Sequence, residues 1–453
     1  MSGLISNVVY NTQALNNHSA GLQVTGNNLA NVNSTSYARQ QLKNSTTPAE
    51  AAGGLTRYTI EQIRDAVLDE NIVRENADLG SLEAQNDVLN QLNSLFAESL
   101  QENLSTSLEY STDSDSTGLT AALDSFFAAW SDYSVDPSDS TAQEIVYQSG
   151  EMLVEYFNTM SSRLDEIETD VNTRISDDVD EANTLLNEIA SLNEQIVRAE
   201  LGGNDTATTL RNQRQEIVEE LGKILNISTD EQANGTLIIS STDNTGATVT
   251  LLNHTTVNSL TNNAGVLGLA DGTTLGLSSG SLYGYSAVLT GDIADARSDL
   301  DLLAANLTSS VNTAYGADFF DAAGLTAGTI ALDSALTADS IYADLNNASG
   351  NEIALAISEL ASSEIAGLGN TFQGYTITTA SAIAASYSNN QTQLEYQELV
   401  STMLDEQRTS ISGVNLNEEV TNMMVLQRAF QATSRVVNVL DQLLSVVVNE
   451  LKA

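Results

Sequence analysis

Apolar residues recur at every seventh position along the C-terminal end of the chain: Leu416, Met423, Phe430, Val437, Leu444 and Leu451. Leu426, Leu440 and Val447 stand three residues after members of that series, with Thr433 in the intervening place. This is the a/d spacing of a coiled coil, and it predicts one helix about 50 Å long with a single apolar seam. Asn415 and Glu418 supply an N-cap and N3 pair to start it, and Ser412-Gly413 breaks it from what precedes. The N-terminus repeats the device more weakly. Leu4 is followed by Val8, Leu15, Leu22 and Leu29 in one heptad register, but the companion positions Asn11, His18 and Thr25 are polar. Gly26 is expected to loosen this helix, and the run Asn31 to Ser36 to end it. Two seams at opposite ends of one chain are expected to pair. The pair is expected to be marginal alone and completed by neighbouring subunits, so the fourteen hydrophobic seam residues named here are the expected subunit-interface residues.

Between the ends the period lengthens. From Asp136-Pro137, read as N-cap and N1, to Leu201 there is no further proline. Leu153, Phe157, Met160, Leu164, Ile167 and Val171 step by four and three, and Ile175, Val179, Ala182, Leu186, Ile189 and Ile196 continue after a small drift. That drift suits a nearly straight helix of roughly 60 residues, about 90 Å long. Leu210 to Leu225 reads as its antiparallel return, and the stretch from Ile60 to about Tyr110 also reads as helix. Residues 227–285 are rich in Thr, Gly and Asn. Strands are expected at 236–239 and 248–252, with a hairpin turning at Asp271-Gly272. Helix is expected again over 288–315, from Ile353, and over 375–407, with a further strand at 329–332. The predicted fold is mainly α with a β insertion. It comprises a long antiparallel helical rod (46–227 and 286–407), a paired terminal coiled coil (1–45 and 408–453) and a small outer β domain (228–285).

Charge sharpens this division. The chain has 453 residues, with 60 Asp and Glu against 16 Lys and Arg, a net charge of −44. Yet no carboxylate precedes Glu50, and the last forty-odd residues are nearly balanced. Charge is excluded from surfaces that become buried against other chains. The acidity excludes nucleic acid, which needs clustered Lys and Arg, and anionic membrane surfaces. There is no cysteine, so disulfides and thiolate chemistry are excluded. No secretory leader or membrane span is expected.

Catalysis finds little support, and no cofactor or metal is expected. His18 lies at a companion position of the N-terminal heptad and His254 is expected on a strand surface; neither has an acid at useful spacing. Asp113 to Gly118, with Asp124 at the twelfth place, partly mimics a calcium loop but has Thr at position five and Asp at twelve. Gly202-Gly203-Asn204 lacks the lysine of a phosphate loop. Arg39 is read either as an interface ion pair or as a solvated arginine.

Asn27-Asn28-Leu29-Ala30-Asn31-Val32-Asn33 with Tyr37-Ala38-Arg39-Gln40 resembles the N-terminal motif of bacterial flagellar axial proteins. Ser412 to Glu419 resembles the C-terminal signature of their hook-associated members at the hook–filament junction. Leu123 to Phe127 with Asp136-Pro137, and Leu210 to Val218, agree with the same members. Ser36, Asn417 and Gln143 depart from the usual pattern, and the middle is short. The resemblance implies an extracellular structural protein, not an enzyme. Such a protein leaves the cell unfolded through the type III export channel, guided by a chaperone that holds its C-terminal region. It assembles with itself as a ring on the hook protein, beneath a second hook-associated junction protein. Two other readings stand beside it: another axial protein (hook, rod or flagellin-like) and a secreted adhesin or enzyme on a helical stalk.

Overall fold

The computed structural model describes residues 2–34, 36–45, 57–98, 118–201, 207–263, 265–342 and 350–450. Ten α-helices dominate among them, with eight short strands in small antiparallel sheets, so the fold is mainly α with a β insertion. The chain divides into two compact units. One holds residues 1–80, 178–280 and 396–453, and the other holds 81–177 and 281–395.

The unit carrying the chain ends contains helix α1 (Ser2–Ala30) and the C-terminal helix α10 (Leu416–Glu450), which pack along one another. α1 runs unbroken through Gly26, so the expected loosening does not occur. After α1 the chain forms a hairpin of β1 (Gln40–Ser45) and β2 (Arg57–Gln62), pairing Leu42 with Ile60. The helix expected from Ile60 therefore begins later, as α2 (Ala66–Glu98). The three-and-four spacing of Ile60, Ile63 and Val67 imitates a helix, while the β-forming trio Tyr58-Thr59-Ile60 sets the local structure. α2 meets helix α5 (Thr208–Ile224) at very short range. A Cβ on Gly80 would lie 2.2 Å from the Lys223 carbonyl oxygen, and one on Gly222 would lie 2.9 Å from Val73 Cγ1.

The sheet β3–β6 joins Ser228–Glu231, Leu237–Thr242, Thr248–Asn253 and Thr256–Val257 in chain order, and β7 (Leu260–Asn263) pairs with β8 (Val266–Leu269). The Asp271-Gly272 turn is present. Gly272 has φ 91°, and the Asp271 carboxylate accepts the Thr273 N–H at 2.9 Å. Two asparagines of the long helix α4 (Ser140–Glu200) hold this β region. Asn193 Nδ2 donates to Leu237 O at 2.9 Å while its Oδ1 accepts Leu237 N–H at 3.0 Å. Asn183 binds both peptide groups of Leu260 in the same way, at 3.0 and 2.8 Å. His254 is not on a strand surface. It sits between β5 and β6 at φ 56°, its Nδ1 2.5 Å from Thr236 Oγ1.

The second unit is built on aromatic packing. Helix α3 (Leu119–Val135) places Phe126, Trp130 and Tyr133 in its core. Phe126 and Trp130 approach Phe319 at 5.7 and 5.5 Å between ring centroids. Asp136-Pro137 closes α3 rather than opening the rod helix: Asp136 Oδ1 accepts Ser138 N–H, and Asp139 caps the first turn of α4 through Thr141 N–H at 2.8 Å. Gln143 donates to Ile341 O at 2.8 Å. The helix expected over 288–315 is α6 (Ser281–Val288) followed by a π turn (Leu289–Ile293) and α7 (Ala294–Tyr315). Phe320 and Leu332 form only an isolated bridge where a strand was expected. Helices α8 (Glu352–Glu359) and α9 (Phe372–Ser412) follow the expected positions closely. The calcium-like run 113–117 and the Gly202-Gly203-Asn204 turn lie outside the described residues.

Candidate functional site: the terminal helix pair and its polar joint

The heptad positions of α1 and α10 face inward on the pair. Leu4, Val8, Leu15, Leu22 and Leu29 are half-buried, and so are Met423, Leu426, Phe430, Val437, Leu440, Leu444 and Val447. Leu416, at the first turn of α10, is exposed, and Leu451 lies outside the described residues. The polar companions Asn11 and His18 share the half-buried face of α1, and Thr25 is buried there, its hydroxyl returned to Gly21 O at 2.9 Å. Gly21 marks a close approach: a Cβ there would lie 3.1 Å from both methyls of Leu426. The two seams thus meet within one chain.

Sequence periodicity missed a second apolar row. Val425, Val436, Val439, Leu443 and Val446 are exposed on the outer face of α10, and Ile5, Val9 and Tyr10 on α1. On α10 they occupy heptad positions c and g, with Ala429 and Ala432 continuing the row. The signal was available as apolar residues at c and g with no carboxylate between Glu419 and Asp441.

Three of the four motif strings converge where the pair meets the rest of its unit. Asn28, buried near the end of α1, donates to Gln40 O and accepts Gln40 N–H and the Tyr37 hydroxyl, each at 2.9 Å. This closes the turn after α1. Burial, with Glu419 nearby, pushes Tyr37 up to about 12, so it stays a neutral donor. Arg39 donates its backbone N–H to Ser412 O at 2.8 Å, and its guanidinium pairs with Glu418 at 3.2 Å and Glu419 at 3.0 Å. Of the two readings of Arg39, the structure shows an ion pair, made within the chain. Asn415 Oδ1 accepts the N–H of Asn417 and Glu418, the expected cap of α10. Asn212, from the Leu210–Val218 motif, accepts from Ala38 N–H, Gln62 Nε2 and Arg64 Nη2. Arg64 also pairs with Asp69 at 3.3 Å. Burial raises the Asp69 carboxyl above the usual range, with Arg64 pulling against it. Arg408, nearly buried at the end of α9, pairs with Glu219 at 2.7 Å and Asp405 at 2.8 Å. A packed polar network of this kind fixes orientation through geometry rather than through apolar area. The fourth motif, Leu123 to Phe127, lies in the aromatic core of the other unit. Among the described residues no helix is long and apolar enough to cross a membrane.

The chain matches two family models. Residues 105–329 match the flagellar hook-associated protein FlgK helical domain, and residues 406–451 match the C-terminal region of the flagellar basal body rod FlgEFG proteins. The terminal pair and the helical body therefore define an axial structural protein of the bacterial flagellum. Flagellar hook-associated protein 1 of Bacillus subtilis is 25% identical, with 96% of each chain covered. That of Escherichia coli is 26% identical over 70% of this chain and 58% of its own length. A solved structure, the flagellar hook junction protein FlgK from Burkholderia pseudomallei, aligns at 19% identity and TM-score 0.47, covering 56% of this chain and 46% of that one. The chain thus carries a FlgK helical-domain match and is similar to flagellar hook-associated protein 1 over almost its whole length.

Proposed function

We propose that the protein is the structural adaptor that joins the flagellar hook to the filament, assembled as a ring of copies at the distal end of the hook. The observation that carries this is the outer face of the terminal pair. In a chain of net charge −44, one long surface bears exposed valine and leucine and no carboxylate between Glu419 and Asp441. An exposed apolar stripe of that length marks a surface covered by another protein. On this reading the seam residues hold the pair together within a copy, and the c and g row meets neighbouring copies. Residues 1–45 and 408–453 form the inner tube of the ring. Residues 46–227 and 286–407 form the surrounding rod, and residues 228–285 face outward. The hook protein lies below and a second hook-associated junction protein above. Export proceeds in unfolded form through the type III channel with a chaperone on the C-terminal region, which places the working protein outside the cell.

The test is genetic. Cells lacking the protein are expected to carry hooks without filaments and to shed flagellin. Deletion of residues 1–40 or 410–453 is expected to give the same phenotype while the remaining helical body keeps its circular dichroism. Filaments in either truncation strain would overturn the proposal.

A further inference from the structure

The unit that holds the chain ends bears another exposed apolar row, on a helix outside the terminal pair. Tyr396, Leu399 and Met403 on the second half of α9 are 68%, 66% and 59% exposed, and their three-and-four spacing puts them on one face. Glu395, Glu398 and Glu406 are exposed beside them, each one position ahead of the apolar row or its continuation at Gln407. The apolar row of α9 therefore has one acidic edge. The outer face of α10 is built the same way with opposite charge. Arg428 and Arg435 are exposed, one position ahead of Ala429 and Val436. Neither has an acidic partner among the described residues, although acids outnumber bases 60 to 16 in the sequence.

We propose that the outer face of α10 of one copy seats on the 396–407 face of α9 of the next copy, apolar row on apolar row and arginine edge on glutamate edge. The occupant is a second copy because the two faces complement each other in charge and both are left open in a single chain. Direction follows from helix geometry. In both helices the charged row precedes the apolar row by one residue, so it lies on the same hand of the stripe when each is viewed from its N-terminus. Two such faces match charged edge to charged edge only when the helices run antiparallel. The arginines are seven residues apart and Glu398 and Glu406 eight, so both spacings are about 10–12 Å. The inference rests on the reading of the protein as a self-assembling adaptor and names the contact that carries the assembly.

The test uses the full-length chain as the sole copy in motile cells. One variant carries Arg428→Glu and Arg435→Glu, the other Glu398→Arg and Glu406→Arg. These side chains are exposed, so each purified variant is expected to melt as the wild type. Each alone is expected to lower the number of filament-bearing cells by about tenfold or more, since like charges set face to face cost several kcal/mol. Expressing the two variants together, or all four substitutions in one chain, is expected to restore filaments, which an export defect would not allow. Normal filaments from either variant alone, or no rescue by the pair, would overturn the contact while leaving the adaptor role intact. Failure of the wild-type gene itself to restore filaments to the deletion strain would overturn both.

Discussion

Asn28 shows how much one side chain carries in this molecule. Its amide satisfies both backbone groups of Gln40 and the Tyr37 hydroxyl, all buried, at the point where α1 stops. Asn28→Ala leaves those groups unpaired and is expected to cost about 1–3 kcal/mol in chemical denaturation, with faster amide exchange over residues 31–40. Asp69 works in the opposite direction. Its folded carboxyl is raised above the ordinary 3.8, chiefly by burial, so the folded state holds that proton more tightly than the unfolded chain does. Stability from this group is therefore present below the ordinary value and lost as pH rises through the raised one. Asp69→Asn is expected to raise the melting midpoint at pH 7 and to flatten the fall in stability as pH rises above the ordinary carboxyl value of 3.8. The motif strings holding Asn28, Arg39, Asn212 and Glu419 were legible in the sequence as strings. That they form one network was not, because their meeting is set by tertiary packing across more than 170 positions of chain, as in the Ala38–Asn212 bond.

Among elements, those with a sustained period were readable. The α10 seam and the α4 rod follow from repeats that no other structure accommodates, and Asn415 caps α10 as its position requires. The β1–β2 hairpin was not readable, because Ile60, Ile63 and Val67 also fit a helix face. The Gly80–Gly222 crossing was hidden too, since a glycine inside a helix reads as a weakness until its neighbour is known. Here it is a requirement: Gly80→Ala would drive a methyl into the Lys223 carbonyl. The expected cost is about 1–3 kcal/mol, as for other overpacked sites, seen as a lower thermal midpoint. Gly26, with nothing within 4 Å of its added Cβ, is the control, and Gly26→Ala is expected to stabilise α1 by up to about 1 kcal/mol.

For the whole molecule, the balance lies between an acidic body and nearly uncharged ends. Val439→Asp with Val446→Asp places charge on the exposed row of α10 without touching the seam. It is expected to leave monomer stability within about 0.5 kcal/mol of wild type, as for other surface changes, while abolishing oligomers in sedimentation velocity. Repulsion between copies of charge −44 acts over the Debye length, about 30 Å in 0.01 M salt and about 3 Å in 1 M. Oligomers of the wild type are accordingly expected to grow with sodium chloride across that range, and a salt-independent distribution would contradict this.

The paired amides of Asn183 and Asn193 give the β region a further mechanical meaning. They grip it at two points about 15 Å apart on α4, so bowing that stretch of helix would tear at both grips at once. The strands act there as a splint, and under load the helix will flex first where it goes unsplinted.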